Sequence, residues 1–419
     1  MNPLRCPGRL VAATASLFAS LFAIMAVSPC AHAEPGEDLT VSALTFGPGE
    51  HPFFKFGHNA ILIQPKNGQG LVYNFGTFQF DSPALIPKFL RGKFKYWLSV
   101  SGAEDTMESY AAADRTILAQ ELDLAPAQRW ALWQALRKNA RPENREYLYD
   151  YFYDNCSTRV RDAIDRVTDG RVRAAGEAPA RMTFRAHALR VTADLLPEYL
   201  GLDLGLGRAT DVPINFWNEA FLPERLSDLL RAARIADGTG EKPLVKAERV
   251  IYQSTRPAKP PAPPRWNVYF LGVGAAAGIL LVLLGWLAKR VSVARVVLGL
   301  VASALGLGLG LLGLILVCLW AFTDHKAAHA NANILQLAPW ALLLVGYGIG
   351  VALGRRNSTK KARSVALSAL VFSALGIVSK VLPGLNQDNW PFILLLLPVW
   401  LGLWGSLRGL SRMPERQPR

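Results

Sequence analysis

A lone thiol, one imidazole on a strand and a carboxamide on the neighbouring strand are the residues of this chain with chemistry to offer. Of the four cysteines, Cys6 and Cys30 fall in the first 33 residues and Cys318 in a long apolar run, leaving Cys156 by itself in the more polar part. Asp154-Asn155 precedes it, and Ser157-Thr158-Arg159 leads into Val160, Ala163, Ile164 and Val167, an apolar stripe of helical period that stops near Gly170. With Asp154 or Asn155 as N-cap, Cys156 sits in the first helical turn, where free N–H groups and Arg159 are expected to favour a thiolate. The bland alternative is a small buried hydrophobe.

A thiol nucleophile needs a base. Residues 34–265 hold three histidines, His51, His58 and His187. His58 begins the strand-like run His58–Ile63, a turn containing Pro65, Asn67, Gly68 and Gly70 follows, and Leu71–Gly76 reads as the return strand. This hairpin brings Asn74 beside His58, where its amide can orient the ring. The alternative for His58 taken alone is a satisfied core histidine. His187, between Arg185 and Arg190, is expected on a solvated helix face, and His51, before Pro52, in a loop. His325 and His329, without cysteine or paired carboxylates nearby, make a weak metal site, and neither a metal nor another cofactor is expected.

The elements that must position these residues follow from composition. Arg5 and Arg9, an apolar stretch over 10–27 and Ala31-His32-Ala33 read as a signal peptide over 1–33, with lipidation at Cys30 or an uncleaved anchor as alternatives. Residues 34–241 read as an α+β domain, and 242–265, rich in proline, as a stiff linker. Residues 266–408 read as an all-α membrane domain of five helices (267–288, 296–322, 334–354, 365–382 and 391–407), with 409–419 as a tail. Seven of the eleven tryptophans lie from Trp266 onward, mostly at span ends. These runs exclude a disordered chain or a purely soluble enzyme. The net charge of +14 does not signal nucleic acid. Residues 34–265 are nearly neutral, with 30 Lys/Arg against 29 Asp/Glu, and the excess sits between spans.

Histidine on a strand before cysteine at a helix start resembles the circularly permuted papain-like fold of lecithin–retinol acyltransferase and its relatives; in NlpC-type peptidases the cysteine comes first. A closer resemblance covers nearly the whole chain. Phe56-Gly57-His58, Tyr73–Phe80, Lys88–Tyr96, Tyr153–Arg159, Gly205-Leu206-Gly207 with Asp211, Phe221-Leu222-Pro223, Phe322–His325 and Asn331–Leu335 look like the bacterial membrane protein family Lnb, and the five-span layout is similar. Gln79 stands where that pattern leads one to expect an acidic residue.

The resemblance implies acyl transfer from a membrane phospholipid to the N-terminal α-amine of bacterial lipoproteins, at the periplasmic side of the inner membrane. Cys156 would be the nucleophile, His58 the base and Asn74 its orienter. Substrate contacts are expected from Tyr73, Asn155 and Arg159 and from the loop residues His325, Asn331 and Asn333. The basic-aromatic stretch Lys88–Trp97 could meet lipid headgroups or be an ordinary amphipathic surface. A cell-envelope cysteine hydrolase of the same fold and a non-enzymatic scaffold are the alternatives. Five spans favour a lipid substrate, since a peptidase needs at most one anchor.

Topology gives a direct test. The segments 289–295, 355–364 and 408–419 carry 12 Lys/Arg, whereas 323–333 and 383–390 with Lys380 carry two. The positive-inside rule puts the former in the cytoplasm and Cys156 outside. A phosphatase fused after Arg419 should be inactive and one fused after Tyr252 active; the reverse pattern overturns the assignment.

Overall fold

The computed structural model describes residues 34–78, 91–238 and 240–412. The expected signal peptide, Gln79, residues 88–90 and residues 413–419 lie outside these. Nine strands are described: β1 (Leu39–Phe46), β2 (His58–Pro65), β3 (Leu71–Thr77), β4 (Lys95–Gly102), β5 (Ile117–Leu122), β6 (Glu146–Leu148), β7 (Arg234–Ala236), β8 (Glu241–Pro243) and β9 (Val245–Tyr252). Seven form an antiparallel sheet in the order β6-β4-β3-β2-β1-β5-β9, and β7 pairs with β8.

Alternation along the strands gives the sheet two apolar faces. On one, Val41, Ala43, Ile61, Ile63 and Tyr73 meet helix packing, while Leu44, Phe46, Ala60, Val72 and Ile117 form the other. Helix α1 (Ala103–Ala112) covers the second face with Met107 and Tyr110. Helices α2 (Pro126–Asn139) and α3 (Cys156–Val167) cover the first, α2 through Leu132 and Leu136, α3 through Val160 and Ile164. Full burial of Val160 and Ile164 is worth roughly 1.5–3 kcal/mol each. That anchors α3, and hence Cys156 at its first position, more firmly than helix propensity alone.

Two boundaries differ from expectation. The segment read as linker from Lys242 supplies β8 and β9, with β9 forming an exposed sheet edge against β5. Its charged, half-solvated pattern hides the strand, because an edge strand need not alternate cleanly. The residues after it are also held to the domain: Ser254, Thr255 and Arg256 bond Asp114, and Lys259 bonds Asp194. A free strut is therefore not what the proline-rich segment forms.

Five helical segments long and apolar enough to cross a membrane follow, at Asn267–Ala288, Ser292–Phe322, Asn333–Ala352, Arg356–Val378 and Trp390–Ser411. The first and fifth pack at backbone contact, where a Cβ on Gly402 would come 2.7 Å from the Gly278 Cα. The third, expected as one helix, is broken. Ala338 has φ 47° and Pro339 brings no N–H, so the α-helix stops at Leu337 and resumes at Leu343. Trp400 Nε1 donates to the freed Gln336 carbonyl at 2.9 Å.

The two halves are joined at one helix end. Helix α4 (Leu196–Gly205) leaves its last carbonyls without intrahelical partners, as every α-helix does. Asn331 Nδ2 donates to Leu204 O (2.8 Å) and Gly205 O (3.0 Å), and Asn333 Nδ2 to Leu204 O (3.0 Å). Gln387 Nε2 donates to Leu206 O at 3.2 Å, and Gly207 N to Ala327 O at 2.7 Å. From within the domain, Arg185 reaches Leu206 O at 2.7 Å and pairs with Asp203 and Asp211. The loops after the second and fourth spans thus cap a helix of the folded domain. Losing a partner of a buried acceptor costs about 1–3 kcal/mol. Asn331→Ala with Asn333→Ala should therefore raise hydrogen exchange or protease cleavage around residues 204–207 at least about tenfold. Unchanged protection would show that the amides do not hold the halves together.

Candidate active site

Asn155, not Asp154, caps α3. Its Oδ1 accepts from Thr158 N at 2.9 Å while Thr158 Oγ1 accepts from Asn155 N at 2.8 Å, a reciprocal box. Asn155 Nδ2 also donates to the Tyr151 and Phe221 carbonyls. Asp154 turns away to grip Arg159 at 2.6 and 2.8 Å, and that guanidinium lies 3.8 Å over the Tyr147 ring. The charge expected to help a thiolate is therefore already paired.

The next residue fixes the helix to the sheet. Ser157 Oγ donates to Asn59 Oδ1 at 2.7 Å, and Asn59 Nδ2 donates to Leu44 O (3.1 Å) and Thr45 Oγ1 (2.9 Å). Ser157 adjoins Cys156 and Asn59 adjoins His58, so one buried bond sets the separation of thiol-bearing and imidazole-bearing backbone. On the facing strand the register slips between Asn74 and Thr77, and Gly76 adopts φ 90°. A Cβ built on Gly76 would lie 3.4 Å from Cys156 Cβ and 3.9 Å from His58 Cε1. Only glycine leaves that shared space open.

His58 Nε2 lies 3.4 Å from Asn74 Oδ1, a long hydrogen bond. Asn74 Nδ2 donates to Ser101 Oγ at 3.1 Å and to Val72 O at 3.5 Å, which orients the amide with its oxygen toward the ring. Ser101 continues to Thr106 Oγ1 at 2.8 Å. His58 therefore carries its proton on Nε2, an assignment from the network, and keeps the Nδ1 lone pair. Phe46 and Tyr110 stack alongside, with ring centroids 5.9 and 6.2 Å from the imidazole.

Burial, then the nearby Arg115 charge, lowers the His58 pKa to about 4 against the partial support of Asn74. Burial pushes the Cys156 thiol up, although the N–H groups of Asn59, Ser157 and Cys156 favour its anion. At neutral pH the couple is thiol and neutral imidazole, and the thiolate expected from the helix start does not form at rest. Both side chains keep part of their surface open to a cavity of about 900 Å³. Its wall includes Asn74 and Asn155, many aromatic rings, Leu319 of the second span and loop residues Asp324–Ala328. Gly92, at φ 70°, lets that loop close: a Cβ there would meet Asp324 C and His325 N at 2.8 Å.

Of the expected substrate contacts, His325 lines the cavity and stacks on Tyr151, with centroids 6.1 Å apart. Asn155 lines it too, with its amide oxygen committed to Thr158 N and its amide nitrogen to the Tyr151 and Phe221 carbonyls. Four do not line it. Tyr73 is buried in the core on the α2 face, Arg159 is locked to Asp154, and Asn331 and Asn333 are used up capping α4. His187 is fully buried rather than solvated, bonded at 2.7 Å to Glu219 and accepting from Arg190. In the basic-aromatic stretch, Lys93 and Lys95 pair with Asp324 and Glu146. Among the described residues no cluster of three His, Cys, Asp or Glu side chains is placed to hold a metal. Arg115, Tyr110 and Tyr149 enter the wall without any signal in their local sequence.

The model of the Lnb N-terminal periplasmic domain matches residues 32–190, and that of the Lnb transmembrane domain matches 275–401. The chain belongs to the Lnb family. A sheet-plus-helix periplasmic domain followed by five apolar helices makes it an inner-membrane protein. No curated protein and no solved structure matches the chain. The Lnb domain match spans His58, Asn74 and Cys156, while the stretch around α4 that meets the membrane loops falls between the two matched regions.

The lowered His58 pKa has a sign. Folded His58 protonates near pH 4 and unfolded histidine near 6.5, so below 6.5 the unfolded chain binds more protons. Stability is full above that range and falls as pH drops toward 4, by on the order of 2–3 kcal/mol from this group. Melting temperatures between pH 7.5 and 4.5 should therefore fall less steeply in His58→Gln than in the native chain. Parallel curves would refute a neutral buried His58.

Proposed function

We propose that this protein is a thiol acyltransferase: it moves an acyl chain from a membrane phospholipid through a Cys156 thioester to the N-terminal α-amine of a lipoprotein. The observation that carries this reading is the largely apolar cavity with Cys156, His58 and Asn74 in one wall and membrane-domain residues in another. A sheet histidine upstream of a helix-initial cysteine supports a permuted papain-like arrangement of the domain. The charge asymmetry of the loops supports placing this domain on the periplasmic side.

In the first half-reaction His58 Nδ1 takes the Cys156 proton as sulfur attacks the ester carbonyl, so the ion pair arises only with substrate present. The N–H groups of Asn59, Cys156 and Ser157 favour the sulfur anion and so stabilise the thiol as its proton leaves. Collapse breaks the ester C–O bond, and the imidazolium returns its proton to the departing glycerol oxygen. A lysophospholipid leaves. In the second half, the neutral amine attacks the thioester, His58 accepts its proton, and collapse expels the thiolate, which His58 reprotonates. Ester plus amine become amide plus alcohol, with no net proton change at the enzyme. A neutral resting imidazole suits both proton abstractions.

Full-length protein in phospholipid vesicles, given a diacylated lipopeptide with a free α-amine, should yield the N-acylated product by mass spectrometry. Cys156→Ser should be nearly inactive, because a hydroxyl is far harder to ionise. His58→Ala should lose roughly 10²–10⁴ in rate, and Asn74→Ala less, since it orients rather than transfers. Free fatty acid as the product would instead mark a hydrolase, and full activity in Cys156→Ala would end the reading.

A further inference from the structure

Four arginines are buried among the described residues: Arg115, Arg161, Arg185 and Arg190. Arg161 pairs with Asp162, Arg185 with Asp203 and Asp211, and Arg190 with Glu224. Arg115 is 5% exposed and has no carboxylate partner among the described residues. Its Nε donates to Gly47 O at 2.8 Å, and its guanidinium lies 4.6 Å from the Tyr110 ring centroid and 5.3 Å from that of Phe54. Its Nη2 is buried and has no hydrogen-bond partner among the described residues. A buried cation without a counter-ion is strongly unfavourable, and an unmade bond at its donor adds to that cost. Arg115 also lines the cavity that holds His58 and Cys156, and its charge is felt by both groups.

We infer that Arg115 is the headgroup anchor of the acyl donor, its guanidinium binding the phosphodiester of a glycerophospholipid whose ester faces Cys156. This rests on the reading that the donor is a phospholipid. The ligand must be an anion, to balance the guanidinium, and a phosphate oxygen accepts a charge-assisted bond from a guanidinium edge. The lipid source follows from the rest of the wall, which is largely apolar and includes Leu319 of a membrane span. The rings of Phe54 and Tyr110 and the Gly47 carbonyl hold the guanidinium in place, so little side-chain freedom is lost on binding.

Binding is measured on full-length Cys156→Ala protein, which cannot turn over, in detergent. The ligands are dihexanoylphosphatidylglycerol, dihexanoylglycerol and inorganic phosphate. The phospholipid should bind about 10–100-fold more tightly than the diacylglycerol, as one charge-assisted bond allows. Adding Arg115→Gln should abolish that difference while leaving diacylglycerol affinity nearly unchanged; Arg115→Lys, which keeps the charge, should retain part of it and guards against a misfolded Gln variant. A phospholipid preference that survives Arg115→Gln overturns the inference, as does the absence of any preference. Inorganic phosphate competing at the phospholipid's own affinity would mark a free-phosphate site and overturn the lipid assignment. Because no acyl transfer is read, a passing result here with no transfer elsewhere faults the proposed chemistry and not the anchor.

Discussion

The hydrogen bond from Ser157 to Asn59 ties the start of a helix to the start of a strand, and the site's geometry depends on it. It is buried, its acceptor is itself held by Leu44 and Thr45, and it joins the immediate neighbours of Cys156 and His58. Val160 and Ile164 fasten the helix to the sheet further along, so the bond works on an element that is already placed. Gly76 is the matching constraint on the next strand: its positive φ and missing side chain leave space that thiol and imidazole share. Strand and bulge belong to one hairpin and the helix to a stretch 98 residues further on, and each is needed for the other two to matter.

Electrostatics in this setting favours a neutral couple. A helix N-terminus stabilises an anion by about 0.3–1 kcal/mol in ordinary surroundings, whereas burial shifts a titratable group by up to several pKa units, each worth 1.36 kcal/mol. Burial wins at Cys156 and again at His58, where the Arg115 charge adds to it. Arg159 cannot tip the balance, because Asp154 neutralises it. Among the described residues Arg115 is an unpartnered cation near the couple, and an anionic ligand on it would relax the field that keeps His58 neutral.

Much of this was legible in the sequence where spacing alone decides geometry. The hairpin pairing of His58 with Asn74, the helix beginning at Cys156 and the five spans all follow from local period. What escaped depends on contacts between distant segments. Asn331 and Asn333, polar residues at a span mouth, look like ligand contacts, but the free carbonyls of α4 claim them. Tyr73 adjoins Asn74 and so points to the other face of its strand, away from the cavity. The break at Ala338 is hidden inside an apolar run, and β9 inside a charged one. Arg115 carries no motif; its meaning appears only when it is seen buried without a counter-ion.

Joining a soluble-type domain to the membrane through the end of α4 keeps the cavity beside the lipid rather than at the end of a flexible tether. The loop Asp324–Ala328 both meets that junction and lines the cavity, so the membrane helices help form the site as well as anchor it. Cys156 is proposed to carry an acyl group between two lipidic substrates. Intact mass of the full-length protein after incubation with phospholipid and no acceptor tests it most directly. A single added acyl chain, released by neutral hydroxylamine and absent in Cys156→Ala, is the expected result; an unmodified mass, or an adduct that persists in Cys156→Ala, would contradict it.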